Sequence, residues 1–223
     1  MQTKQKNCKG LGLAKDYGCG IQTYKRTYGL CDSCLYDFYT TNENGKVIFE
    51  KRKLKVKSTK EKAIKSDLRE KLKTLSDYAK ELQKEINTIV RLIDKGGCCI
   101  STLKPLNDKF DAGHMYSVGS NPALRFHLDN IHAQSVYANQ YLSGDQINYL
   151  NGLSYFYGIE YKDYILDLKS RYKVLKLSKE DYIEKINVAK KIVSELKFEF
   201  RPFDNEERLK LRKKFNERLG IYN

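Results

Sequence analysis

No run of the 223-residue chain approaches the roughly 18 consecutive apolar residues that a membrane-spanning helix needs. The start, Met1-Gln-Thr-Lys-Gln-Lys-Asn7, lacks the apolar region of a secretory signal. These two absences lead us to expect a cytoplasmic, reducing setting and no membrane partner. Acid is also in short supply: 28 Asp and Glu stand against 42 Lys and Arg, a net charge of +14. An excess of that size favours a polyanionic partner. Histidine is scarcer still, with three in the chain, and outside residues 1–40 cysteine occurs only at Cys98 and Cys99. A hydrophobic content of 40% excludes disorder throughout, and the length suits one or two compact domains with helical connections.

Cys8, Cys19, Cys31 and Cys34 lie in a segment crowded with glycine, and the last two form a Cys-x-x-Cys pair. Four thiolates on two separated arms match a tetrahedral structural Zn²⁺ site, and a short segment with little apolar material needs such a staple. The residues also fit a pair of disulfides or free thiols, which a reducing compartment disfavours. We read residues 1–45 as a four-cysteine zinc ribbon. Lys9, Lys15, Lys25 and Arg26 surround it and either touch DNA or form a solvated face.

Asn42-Glu-Asn-Gly45 reads as a turn. It leads into a basic run, residues 51–65, with eight Lys or Arg against one Glu. Lys51, Arg52 and Lys53 open the run, which either tracks a phosphate backbone or is a solvated linker. From about Thr59 to Lys95 the spacing predicts one long helix, with a seam at Leu68, Leu72, Leu75, Ala79, Leu82, Ile86, Ile89 and Ile93. Such a seam suits a coiled-coil homodimer or an internal hairpin with the C-terminal helices. Residues 46–97 are read as this basic segment and dimerisation helix, which Gly96-Gly97 ends.

All three histidines fall between Cys99 and Asp145. Phe110 to Val118, interrupted by Gly113, suits a strand that ends in a bend. After a loop through Gly119-Ser-Asn-Pro122, Asn130 to Gln134 alternates, with Asn130, His132 and Gln134 on one face and Ile131 on the other. Ser135 to Leu142 would start a helix, interrupted at Ser143-Gly144. Cys98 and Cys99, being adjacent, read as packing residues.

The blocks Cys99-Ile-Ser101, Asp111-Ala-Gly-His114, Asn121-Pro-Ala-Leu-Arg-Phe126, Asn130-Ile-His-Ala-Gln134 and Asn139 to Gly144 resemble the HNH, or ββα-metal, endonucleases. They more closely resemble the NinG/Rap family of phage recombination proteins, over about a fifth of the chain. The resemblance implies a ββα-metal core over residues 98–158 within an α+β, mostly helical chain. It implies a phage- or prophage-encoded, structure-selective endonuclease for branched DNA such as Holliday junctions and D-loops, with phage recombination proteins as further partners. By the family pattern His114 is the general base, and Asn139 stands at the last metal-ligand position. Asp111 and His132 are candidate co-ligands of Mg²⁺ or Mn²⁺, Arg125 clamps a phosphate, and Asn130 joins His114 and Arg125 in the catalytic set. An imidazole near neutral pKa can take a proton from water, and a hard cation on oxygen ligands offsets charge on the departing 3′ oxygen. The hydrolytic reading expects His114 and Asn139 to converge on one cation and one phosphate. His132 alternatively only orients the hairpin, and His127 has no assigned role. A junction-binding protein with a degenerate core and a general HNH nicking enzyme remain the alternatives.

Lambda-type relatives carry Cys-x-x-Cys before the first strand and again at the helix start, holding a structural zinc. Here those positions read Cys99-Ile-Ser-Thr102 and Ser135-Val-Tyr-Ala138. One thiolate cannot supply a tetrahedral site, so packing is expected to replace the knuckle. Residues 159–223 form a C-terminal helical region. Gln146 to Tyr157 reads as a helix that Gly158 ends, and the tyrosines around it, Tyr155, Tyr157, Tyr161 and Tyr164, either pack or stack on unpaired bases. Ser178-Lys-Glu-Asp181 opens another helix, and a last one, from about Asp204 to Leu219, is expected to present a mostly basic surface.

Overall fold

The computed structural model describes residues 4–24, 27–199 and 201–222, so Lys25 and Arg26 lie outside it. It divides into two compact units, Met1–Leu72 and Lys73–Asn223.

In the first unit the ribbon is small. β1 (Lys6–Asn7) pairs antiparallel with β2 (Gln22–Thr23), and Cys8 N–H continues the ladder to Ile21 O at 2.8 Å. The second cysteine arm runs into a helix, α1 (Asp32–Thr41), with Cys31 at its N-cap. Asn42, expected in a turn, caps a 29-residue helix, α2 (Glu43–Lys71): its side chain accepts from Gly45 N at 3.1 Å. Gly45 is required there, because a Cβ would stand 1.9 Å from Phe38 O. From Phe49 to Leu72 every residue is exposed.

The long helix expected from Thr59 to Lys95 is two helices. Thr74 stops it, because its hydroxyl accepts from Asp77 N while the Asp77 carboxylate accepts from Thr74 N, a capping box that starts α3 (Leu75–Ile93). The seam divides there as well. Leu68, Leu72 and Leu75 are 54%, 70% and 53% exposed, whereas Leu82, Ile86, Ile89 and Ile93 are fully buried. The buried stretch packs along α6 (Lys179–Lys197), so the partner is internal and this face is not open to a second copy. Each such side chain contributes about 1.5–3 kcal/mol.

Against α3 lies a hairpin of β3 (Asp111–His114) and β4 (Ile131–Gln134), paired antiparallel with Asp111 opposite Gln134 and His114 opposite Ile131. β3 is shorter than expected, closing at His114. A π-helical turn, Tyr137–Tyr141, follows β4, and then α4 (Gln146–Tyr157) and α5 (Ile159–Arg171). α7 (Asn205–Leu219) completes the unit, capped by Asp204. Of the basic residues expected on the mostly basic surface of α7, Lys210, Lys213, Lys214 and Arg218 are exposed, whereas Arg208 and Arg212 turn inward, and Arg212, fully buried, donates to Asp94 Oδ2 at 2.7 Å. Among the described residues no helix is long and apolar enough to cross a membrane.

Candidate functional site

Two groups of residues carry chemistry. In the first unit the β1–β2 turn and the α1 N-terminus bring the sulfurs of Cys8, Cys19, Cys31 and Cys34 within 4.8 Å of one another. Cys19 and Cys31 are 3.7 Å apart. Tetrahedral Zn–S bonds of about 2.3 Å place sulfurs about 3.8 Å from each other, so this cage fits the ion. Cys31 N–H donates to Cys8 Sγ at 3.0 Å. The thiols are unlike: the Cys34 backbone N–H draws the Cys31 pKa down to about 7, while desolvation pushes Cys34 up to about 12. Four sulfurs so close together could hold a metal ion, whose charge would favour the thiolate form of each.

In the second unit the hairpin sorts the expected residues onto two faces. Directly paired residues share a face, so Asp111, Gly113, His132 and Gln134 lie on one side and Ala112, His114, Ile131 and Ala133 on the other. Asp111 Oδ2 accepts from Asn139 Nδ2 and Gln140 Nε2, each at 2.9 Å. The structure therefore joins Asp111 to Asn139. It does not bring His114 to them, which departs from the expected convergence.

His114 is held from the other side. Its Nε2 lies 3.1 Å from Arg125 O, a carbonyl that can only accept, so the ring hydrogen is on Nε2 and the lone pair on Nδ1. Burial holds its pKa below the usual histidine value, and the neighbouring Arg125 charge adds to that. Gln83 on α3 anchors Arg125: its Oε1 accepts from Arg125 Nε at 3.1 Å, while its amide nitrogen donates to Asn87 Oδ1 at 2.7 Å and only lies near His114 Nε2, at 3.4 Å. The terminal nitrogens of Arg125 have no hydrogen-bond partner among the described residues. Gln83 was not legible in the sequence, because a polar residue beside an apolar seam is ordinarily solvated.

Asn130 spends its side chain on the loop between the strands. Its Oδ1 accepts from Tyr116 N, and its Nδ2 donates to Tyr116 O and Leu124 O. It positions the backbone that carries Arg125 and touches no open site. His132 is sealed in: Nδ1 faces Tyr149 OH at 3.0 Å and Nε2 faces Tyr161 OH at 3.3 Å, and burial takes its pKa well below the usual value. Of its two expected roles, ligand and hairpin-orienting residue, this environment suits the second. Gly113 permits the packing on that face, since a Cβ there would lie 2.1 Å from Gln134 Oε1.

At the cysteine-poor knuckle, hydrogen bonds join the four positions. Cys99 Sγ accepts from Ser135 N at 3.2 Å and Thr102 N at 3.4 Å, and Ser135 Oγ accepts from Ala138 N at 3.2 Å. Burial raises the Cys99 pKa, but these N–H donors outweigh it and the net shift is downward. Ala138 is fully buried, so packing and hydrogen bonds together hold the four positions.

On the exposed α2, Arg52 Nη1 donates to Tyr39 OH, Lys53 pairs with Glu50 at 3.1 Å, and Lys51 faces solvent.

A family model described as bacteriophage lambda NinG protein matches residues 1–199. The ninG proteins of Enterobacteria phage H19B, Escherichia phage lambda and Salmonella phage P22 are each 37% identical to the chain over 78 residues. That is 35% of this chain and 38–39% of theirs, so the chain matches about two fifths of the length of these relatives. No solved structure matches. With the family model spanning the cysteine cage, the hairpin and most of the helices, the chain belongs to the NinG family of bacteriophage proteins.

Proposed function

We propose that the chain is a structure-selective endonuclease for branched DNA recombination intermediates, with His114 as general base. The observation that carries this is the Nε2 bond to Arg125 O, which fixes the tautomer and leaves Nδ1 as the basic atom. Burial keeps the ring neutral at pH 7, the form that takes a proton from water. Arg125, anchored through Nε, keeps its two terminal nitrogens for phosphate oxygens. The basic helix α2, with Lys51, Arg52 and Lys53, adds sequence-independent affinity for the backbone.

The Asp111 carboxylate and the Asn139 carboxamide offer hard oxygen donors, which suit Mg²⁺ or Mn²⁺ completed by water and phosphate. Bound there, such an ion supplies positive charge for the leaving 3′ oxygen. A homodimer acting on the two equivalent strands of a junction, in company with other phage recombination proteins, belongs to the same reading.

One observation favours a second reading. His114 and the Asp111–Asn139 pair lie on opposite faces of the hairpin, as they would in a junction-binding protein that does not cut.

The test is cleavage of a four-way junction by the purified chain with Mg²⁺. We expect His114→Ala to lower the rate by about 10²-fold or more while junction affinity stays unchanged. Binding without cutting by the wild-type chain would establish the second reading. Equal cutting of plain duplex would mark a general nicking enzyme.

A further inference from the structure

A cavity of about 480 Å³ opens between α5, α7 and the segment that enters β4. Its walls are rings: Tyr161, Tyr164, Tyr172, Tyr222 and His127. Tyr222 donates its hydroxyl to Ala123 O, Tyr172 to Tyr222 O and Tyr161 to Asp129 Oδ1. With those three hydroxyls committed to the protein, the tyrosines offer a ligand their rings and the Tyr164 hydroxyl.

The remaining ring is His127. It is buried, its exposure being 3%. Its Nδ1 accepts from Asp129 N at 3.3 Å, which places the hydrogen of the neutral ring on Nε2. No acceptor for that hydrogen is found among the described residues. At the mouth Lys213 and Glu217, one turn apart on α7, are both exposed and make no ion pair among the described residues.

We propose that this cavity receives one unpaired nucleobase of DNA. A base is a flat heterocycle with both donors and acceptors on its edge, joined to a phosphate. The tyrosine rings supply stacking, His127 Nε2–H donates to a ring nitrogen or carbonyl of the base, and Glu217 accepts from an amino group. Lys213 meets the phosphate. The volume falls within the ~300–1,000 Å³ of sites that enclose small ligands. A base inside a duplex cannot enter, so the cavity distinguishes branched or single-stranded DNA from plain duplex. The inference rests on DNA being the ligand, as in the reading above, but uses neither His114 nor a catalytic metal.

The experiment is done in magnesium-free buffer, where hydrolysis plays no part. The probes are a short single-stranded oligonucleotide carrying one 2-aminopurine and the blunt duplex of the same sequence. We expect the protein to quench the fluorescence of the single strand and leave that of the duplex unchanged. Tyr164→Leu, which fills the wall without a π face, should abolish the quench. It should weaken single-strand binding about 10- to 100-fold, the worth of one stacked base, with duplex affinity unchanged. Lys213→Ala and Glu217→Ala sit on the exposed face of α7, leave the fold intact, and should each weaken single-strand binding several-fold. An unquenched single strand, single-strand affinity that survives all three substitutions, or equal losses on both probes would overturn the proposal. Quenching by a protein that does not cut junctions would sink the endonuclease reading alone, and cutting without quenching would sink the cavity alone.

Discussion

Among the described residues, Cys8, Ala14, Leu30 and Phe38 make up the buried apolar centre of the first unit, whereas α3 alone gives seven buried residues to the second. Segments with so small a core are held by cross-links or metal, and larger ones by burial. The sulfur chemistry follows the same division. The first unit gathers four thiols at the distances of a tetrahedral ion. At the knuckle of the second, one thiol remains, and backbone N–H groups with a buried alanine close the other three positions. The first unit, with little else to hold it, offers a cage that could hold a metal, whereas hydrogen bonds and packing join the corresponding positions of the second.

That difference is broken most forcefully by removing the metal. Structural zinc in small domains is worth about 10–16 kcal/mol, far more than Leu30 and Phe38 can return at about 1.5–3 kcal/mol each. Cys31→Ser, or exposure to a strong chelator, should lower bound zinc from one per chain to none. It should also open residues 4–42 to proteolysis and leave the thermal transition of the second unit in place. Freshly purified, reduced protein without zinc would show that the cage is held otherwise.

The converse substitution acts on burial. Leu82→Ala removes a fully buried side chain from the α3–α6 seam and should cost about 2–5 kcal/mol in denaturant unfolding of the second unit, with zinc content unchanged. Leu68→Ala, at a position the heptad spacing treats as equivalent but which is 54% exposed, should stay within about 0.5 kcal/mol of wild type. Equal costs at the two positions would mean that the seam continues past Thr74, as in a dimer.

The seam also shows where sequence reading succeeds and where it stops. Caps are local, so Ser178 and Asp181 mark the start of α6, and Asp204 stands at the start of α7. The cysteine cluster was legible from residue type and spacing, although α1 behind it was not. Periodicity, by contrast, says which side of a helix is apolar and nothing about whether the helix is whole. The Thr74–Asp77 box interrupts the four-three pattern without disturbing it. Within the candidate site, the residues of the hairpin were legible as types, but their partners were not. That His132 faces Tyr149 and Tyr161, that Asn139 meets Asp111, and that Gln83 anchors Arg125 all depend on helices distant in sequence. The two-face arrangement of His114 and Asp111 follows from the alternation of side chains along β3, where residues three apart point to opposite sides.

The smallest expected effect sharpens the contrast at the knuckle itself. Cys99 Sγ is the common acceptor for Ser135 N and Thr102 N, and the sulfur is buried. Cys99→Ala leaves both donors without that partner, at a cost of about 1–3 kcal/mol. Cys99→Ser restores an acceptor, but on a shorter bond that reaches the two donors less well, and should fall between alanine and wild type. Because the knuckle holds no four-ligand set, neither variant should change zinc content, and a chelator should not shift the transition of the second unit in wild type or variant. Equilibrium unfolding followed by tyrosine fluorescence, with and without chelator, reads both quantities. A Cys99→Ala variant as stable as wild type would mean that Ala138 and its apolar neighbours hold the four positions alone. A chelator-sensitive second unit would mean that a metal still binds at this knuckle through ligands other than the missing cysteines.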